Sequence, residues 1–96
     1  MLRCMKSLCL VISGRVQGVG FRDWLIAAAG ARLLSGWVRN ARTNEVEALI
    51  AGPEAAVDEC VRLCWQGPAF AQVTNVTAIE APAPGQPGFH RRSSVG

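Results

Sequence analysis

Apolar residues at every second position are the clearest pattern in this chain. In the first such segment Leu8, Leu10 and Ile12 alternate with their neighbours, as in a strand that is buried on at least one face. Alternation and β-branched composition together predict four strands, at residues 8–13, 37–39, 45–50 and 73–79. A turn at 41–44 joins the second and third strands into a hairpin, and residues 89–91 could add a short edge strand.

Two further segments have helical character. Residues 22–34 are rich in alanine and leucine, although Gly30 lowers the helix propensity there by about 1 kcal/mol relative to alanine. In the second segment, which follows Pro53, apolar residues recur at i, i+3, i+4 and i+7 and define one face of a helix: Val57, Cys60, Val61 and Cys64. The pair Gly67-Pro68 ends this helix.

The predicted elements follow each other in the order β-α-β-β-α-β. This order indicates an α+β fold of the ferredoxin-like class, in which two helices cover one face of an antiparallel sheet. A chain of 96 residues suffices for one domain with one core. We expect the domain to span residues 1–92 and residues 93–96 to form a disordered tail.

The composition is that of a folded globular protein with a small positive charge. Half of the residues are hydrophobic, 18% are charged, and the formal net charge is +3. Lys6 is the only lysine, so almost all of the positive charge belongs to arginine, whose planar guanidinium matches phosphate oxygens in pairs. This balance favours a small anionic ligand, and no basic run is long enough to require nucleic acid.

The four cysteines show no metal-binding spacing. None of Cys4, Cys9, Cys60 and Cys64 forms a CxxC pair, so we expect reduced thiols packed as small apolar side chains and no bound metal. Reduced thiols are typical of a reducing compartment. The apolar run at 8–12 is too short for a signal peptide, and no segment approaches transmembrane length. We therefore expect a cytoplasmic protein.

The most informative segment lies between the first strand and the first helix. It reads Gly-Arg-Val-Gln-Gly-Val-Gly-Phe-Arg over residues 14–22, and we call residues 14–20 the glycine loop. Glycines permit left-handed backbone angles, so such a loop can turn successive N–H groups toward an anion at a helix N-terminus. The segment matches neither a Walker loop nor GxGxxG, where Asp23 stands in place of the last glycine. Taken alone, the loop could equally be a tight strand-to-helix turn.

Three motifs together resemble the acylphosphatase family: residues 14–22, then Gly-Trp-Val-Arg-Asn at 36–40, then Gly-Pro at 52–53. The resemblance runs from about residue 8 to residue 80. It implies a ferredoxin-like fold and cofactor-free hydrolysis of acyl phosphates, with Arg22 binding the phosphate and Asn40 positioning the attacking water. It also implies that backbone amides hold the phosphate, from Arg15, Val16, Gln17, Gly18, Val19, Gly20 and Phe21.

Elementary chemistry supports some of these roles more than others. A cation at the start of a helix opposes the helix dipole, so Arg22 is locally unfavourable unless an anion binds beside it. On propensity alone Asn40 would be a turn residue, and its role depends on the resemblance. We expect Trp37 to pack on the sheet and His90 to take no part in chemistry.

The chain departs from the family pattern at the end of the first helix. Many members read Leu-Gly-Leu where this chain has Arg32-Leu33-Leu34. A leucine would then occupy the left-handed position that glycine adopts freely, at a cost of about 1 kcal/mol. We expect this to affect local stability and helix register, and to leave the catalytic motifs intact.

Two other functions stay open at this point. Acylphosphatase-like domains also serve as modules in carbamoyl-transfer proteins that mature hydrogenases, although no zinc-finger cysteines follow here. Ferredoxin-like folds also include RNA-binding domains, which stack bases on sheet aromatics, but the strand at 45–50 has no aromatic residue. The free-standing enzyme is preferred, as a monomer whose partners are a small acyl phosphate and the phosphate product, with no nucleic acid or membrane partner.

Overall fold

The structure, a computed structural model, describes residues 4–94. Within this range every predicted strand and helix is present, and the ferredoxin-like α+β fold is confirmed. The elements are β1 (Met5–Arg15), α1 (Phe21–Ala31), β2 (Ser35–Asn40), β3 (Glu45–Pro53), α2 (Glu54–Cys64), β4 (Gln72–Glu80) and β5 (Phe89–Arg91). Of the expected tail, residues 93 and 94 have no regular secondary structure and residues 95–96 lie outside the described range. None of the helices described is long and apolar enough to cross a membrane.

The five strands form one sheet in the order β4-β1-β3-β2-β5. The first four strands pair antiparallel, as expected, whereas β5 pairs with β2 in parallel, so the complete sheet is mixed. Because β1 and β2 both run antiparallel to β3, which lies between them, they are parallel to each other. Their carboxyl ends therefore meet at the same edge of the sheet.

The core lies between the sheet and the two helices. Leu10 and Ile12 of β1 are fully buried, and so are Leu25 and Ala29 on the inner side of α1, which packs on β2 and β5. The inner side of α2 presents Val57, Cys60 and Cys64, which are buried as the helical periodicity predicts. Burial of each Val, Leu or Ile side chain contributes about 1.5–3 kcal/mol, so these residues hold both helices on the sheet.

Helix α1 ends at Ala31, earlier than residue 34 expected from composition. The reason is Leu33, which has a left-handed φ of 56° and an exposed side chain. The N–H of Leu34 donates to the carbonyl of Ala29, and the N–H of Leu33 donates to the carbonyl of Gly30, both at 3.0 Å. These two bonds are those of a Schellman motif, in which a leucine here occupies the position that glycine prefers.

Candidate active site

The glycine loop joins the end of β1 to the start of α1 and leaves the amides from residue 17 onward free. Gly18 and Gly20 have φ of 72° and 80°, the left-handed region that glycine adopts without strain. The N–H of Val16 donates to the carbonyl of Gly14 at 3.0 Å. Among residues 4–94, the amides of residues 17–21 donate to no backbone carbonyl. Five successive unpaired amides at a helix N-terminus form a site for an anion.

A cavity of about 210 Å³ opens beside these amides, and we call it the loop cavity. Its walls come from the glycine loop, the first turn of α1 and the end of β5: Val16, Gly18, Gly20, Phe21, Arg22, Asp23 and Arg91. Arg22 is half-buried and takes part in none of the ion pairs found in the described part of the chain. By contrast, Arg91 forms an ion pair with Asp23. The cavity therefore holds one unpaired guanidinium beside the free amides.

The loop is bound to the hairpin between β2 and β3. The side-chain amide Nε2 of Gln17 donates to the carbonyl of Arg42 at 2.7 Å and to that of Glu45 at 2.8 Å. The N–H of Gly14 donates to the carbonyl of Asn44 at 3.0 Å. The sequence predicts a role only for the backbone of Gln17, because no local signal indicates that its side chain reaches a turn about 25 residues later. These three bonds fix the loop relative to the hairpin.

Asn40 is the last residue of β2, at the sheet edge where the glycine loop begins. It stands two positions after the buried Val38, so its side chain shares the helix-facing side of the strand. Its oxygen Oδ1 is buried and accepts no hydrogen bond from residues 4–94. In the described part of the chain the other two buried atoms of this kind belong to Ser7 and Arg32, neither of which lines the loop cavity. Buried acceptors without a partner are rare and cost about 1–3 kcal/mol each.

The remaining loop residues have different surroundings. Val16 and Phe21 are buried, and the Phe21 ring packs against Trp24 with 5.2 Å between centroids, so these side chains anchor the loop to the core. Arg15 is exposed, pairs with Gln72 at the end of β1, and lines a separate cavity beside the hairpin turn. The structure thus brings Arg22 and the loop amides together, while neither Arg15 nor Asn40 lines the loop cavity.

The opposite face of the sheet carries a stack of charged and aromatic side chains. The guanidinium carbons of Arg39 and Arg92 lie 4.8 Å and 4.6 Å from the Trp37 ring, and Arg39 pairs with Glu47 at 2.6 Å. Burial raises the pKa of the half-buried Cys9 thiol, and the neighbouring Glu47 carboxylate raises it further. Trp37 thus packs on the sheet in contact with two cations.

Comparisons with known proteins agree on one family. The family model described as Acylphosphatase matches residues 8–91. A curated acylphosphatase of Acidiphilium cryptum is 48% identical over 85 residues, which cover 88% of this chain and 93% of the relative. One of Rhodospirillum rubrum is 45% identical over 91 residues, covering 95% and 100% respectively. The crystal structure of acylphosphatase from Bacillus subtilis superimposes with a TM-score of 0.85 at 34% identity, covering 93% of this chain and 99% of that chain.

Proposed function

Since the chain belongs to the acylphosphatase family and so hydrolyses acyl phosphates to a carboxylate and inorganic phosphate, we propose a role for each part of its site. Arg22 and the backbone amides of residues 15–21 bind the phosphoryl group. Asn40 positions the water that attacks the phosphorus. The observation that carries this proposal is the set of unpaired donors: the amides of residues 17–21 and the guanidinium of Arg22.

The binding of the phosphoryl group follows from charge and geometry. The Arg22 guanidinium can chelate two phosphate oxygens, and hydrogen bonds between charged partners are about twice as strong as neutral ones. Amides from residues 17–21 and the positive end of the α1 dipole stabilise the remaining oxygens. The arginine that opposes this dipole in the free protein becomes favourable when an anion binds between them. Of the loop amides, those of residues 17–21 carry most of the contact, since the Val16 amide already has an acceptor.

Asn40 supplies what the phosphate site lacks, an acceptor for the attacking water. Its carbonyl oxygen Oδ1 has no partner among residues 4–94 and can accept a hydrogen from water, while its NH₂ group can donate to a phosphate oxygen. No hydrogen bond from the described residues to Oδ1 restricts rotation of this amide about the Cβ–Cγ bond. Holding water in line with the scissile bond converts a bimolecular step into a unimolecular one.

The reaction needs no separate general base. Asp23 is the only acid that lines the loop cavity among the described residues, and its carboxylate is paired with Arg91. In the proposed step the water oxygen bonds to phosphorus, the bond from phosphorus to the acyl oxygen breaks, and the carboxylate leaves. The water proton passes to a phosphate oxygen. A dianionic acyl phosphate and water thus give one carboxylate and one monoanionic phosphate, mainly through positioning and charge stabilisation.

Hydrolysis of benzoyl phosphate, followed by ultraviolet absorbance, tests these roles. Arg22→Ala should abolish turnover and weaken inhibition by inorganic phosphate, because the substrate and the product lose the same guanidinium. Asn40→Ala should reduce kcat while phosphate still inhibits at nearly the same concentration. The matched control is Arg62→Ala, which removes an arginine from the exposed side of α2 and should leave the kinetics unchanged. Wild-type turnover by Arg22→Ala would contradict the proposal.

We extend the proposal to the state of the protein in the cell. It forms one domain over residues 1–92, acts as a monomer and resides in the cytoplasm, with residues 93–96 as a tail. The four cysteines are free thiols, which are typical of a reducing compartment. Sedimentation of the purified protein tests whether it is a monomer. Mass measurement after thiol alkylation in intact cells tests whether the thiols are reduced, as expected in the cytoplasm.

A further inference from the structure

The loop cavity contains a second guanidinium that the proposed reaction does not use. Arg91 lies on the edge strand β5 and pairs in the sheet with Val38, whose side chain is in the core under α1. Arg91 therefore extends on the helix side of the sheet and reaches the first turn of α1, where it pairs with Asp23. Both side chains line the cavity together with Arg22.

This ion pair is accessible to a ligand. The Arg91 side chain is 44% exposed and that of Asp23 is 75% exposed, so the pair lies at the rim of the cavity. Exposed ion pairs contribute little, because water solvates both charges when they separate. A carboxylate or phosphate on a bound ligand can therefore replace Asp23 as the partner of Arg91 without a large loss.

The charges of Asp23, Arg91 and Arg22 together determine how an anion binds in the loop cavity. An unpaired Asp23 carboxylate beside the phosphate site would repel a dianionic phosphoryl group. Arg91 neutralises it, and the cavity as a whole then carries the single positive charge of Arg22. When Arg91 turns to a second anion, the Asp23 carboxylate is left to solvent, which already covers 75% of that side chain and screens its charge.

We propose that Arg91 is a specificity-determining residue that binds a second anionic group, carried on the acyl part of the substrate. The preferred substrates are then acyl phosphates with an additional carboxylate or phosphate. This inference rests on the proposed phosphate site, since the second anion is reached only when the phosphoryl group occupies the amides and Arg22. Asp23 is the internal competitor that holds Arg91 in place while the site is free.

The test compares benzoyl phosphate with its 3-carboxy and 4-carboxy derivatives, which differ only by the second charge. The quantity measured is the ratio of kcat/KM for each carboxylated substrate to that for benzoyl phosphate. This ratio cancels any general effect of a mutation on the phosphoryl group. Arg91→Gln should lower this ratio by roughly fivefold for at least one derivative, which corresponds to the contribution of one half-exposed charge pair. Arg91→Lys, which keeps the positive charge, should lower the ratio less.

Two further variants separate the charge effect from other causes. Asp23→Asn removes the competitor and should raise the ratio, and the double variant Asp23→Asn with Arg91→Gln should lose that gain. Arg92→Gln is the matched control, since Arg92 is the next residue but stacks on Trp37, on the other face of the sheet. It should leave the ratio unchanged. Circular dichroism melts check that each variant is folded.

The outcomes distinguish the inference from the function on which it rests. If wild-type protein hydrolyses benzoyl phosphate and Arg91→Gln leaves the ratio unaltered for both derivatives, the inference about Arg91 is wrong and the proposed phosphate site stands. If Arg92→Gln lowers the ratio as much as Arg91→Gln does, the effect is one of net charge and the inference again fails. If wild-type protein hydrolyses none of the three substrates, the proposed function itself is wrong, and the inference about the role of Arg91 is then wrong as well.

Discussion

Replacing Asn40 should weaken catalysis and at the same time leave the protein as stable as before, or more so. The buried Oδ1 of Asn40 has no partner in the described part of the chain, a state that costs about 1–3 kcal/mol. Asn40→Ala removes this cost and loses packing of the half-buried amide, worth roughly 1 kcal/mol by the area it covers. The backbone pairing of residue 40 with Val46 is unaffected. We therefore expect an unfolding free energy that is unchanged or higher by up to about 2 kcal/mol.

The loss of activity should be far larger than any change in stability. Without the amide, water is no longer held in line, and misplacement of a reacting group by about 1 Å can cost on the order of 100-fold in rate. Urea unfolding followed by tryptophan fluorescence gives the free energy, and benzoyl phosphate hydrolysis gives kcat. The control is Asn75→Ala, an exposed asparagine on β4, which should change neither quantity.

Two results would refute this reasoning. A variant that is destabilised by more than about 1 kcal/mol would mean that the Asn40 side chain makes hydrogen bonds that hold the fold. A variant that keeps wild-type kcat would mean that the amide does not position water. The combination of lost activity and increased stability is expected where a residue serves the reaction at the expense of the fold.

Three other predictions follow from contacts described above. Leu33→Gly should raise the unfolding free energy by about 0.5–1 kcal/mol, because glycine relieves the left-handed strain and the exposed leucine loses little burial, whereas Leu33→Ala should not. Gln17→Ala should raise KM by roughly tenfold with a smaller effect on kcat, since two hydrogen bonds that position the loop are lost. Cys9 should react with iodoacetamide more slowly than the exposed Cys4, and its rate should still be rising at a pH above its ordinary pKa of 9.0, because the raised pKa shifts the formation of the reactive thiolate to higher pH. For the same reason any stability that depends on the Cys9 thiol is complete below pH 9.0 and decreases as the pH rises toward the folded-state pKa.

The sequence predicts the elements of this fold well because its periodicities are local. The alternation of Leu8, Leu10 and Ile12 and the helical spacing of Val57 and Cys60 each depend on neighbours within a few positions, and all of these side chains are buried or nearly so. Composition predicts that α1 extends to residue 34 and not to Ala31, because it gives no sign that Leu33 adopts a left-handed angle.

Contacts between distant residues are what local patterns cannot predict. The ion pair of Arg91 with Asp23 joins residues 68 positions apart, and it exists because β5 pairs in parallel with β2 at the edge next to α1. The bonds from the Gln17 side chain to the hairpin depend in the same way on the order of strands. The glycine loop itself could be predicted, since its chemistry lies in one continuous segment.

The most direct test of the central claim is a titration of ¹⁵N-labelled protein with inorganic phosphate, observed amide by amide. The backbone signals of residues 17–21 should shift together and saturate, because these amides have no other acceptor among the described residues. The shifts should disappear in Arg22→Ala. Signals that stay in place at saturating phosphate, or that move only in the cavity beside Arg15 and the hairpin turn, would contradict the account.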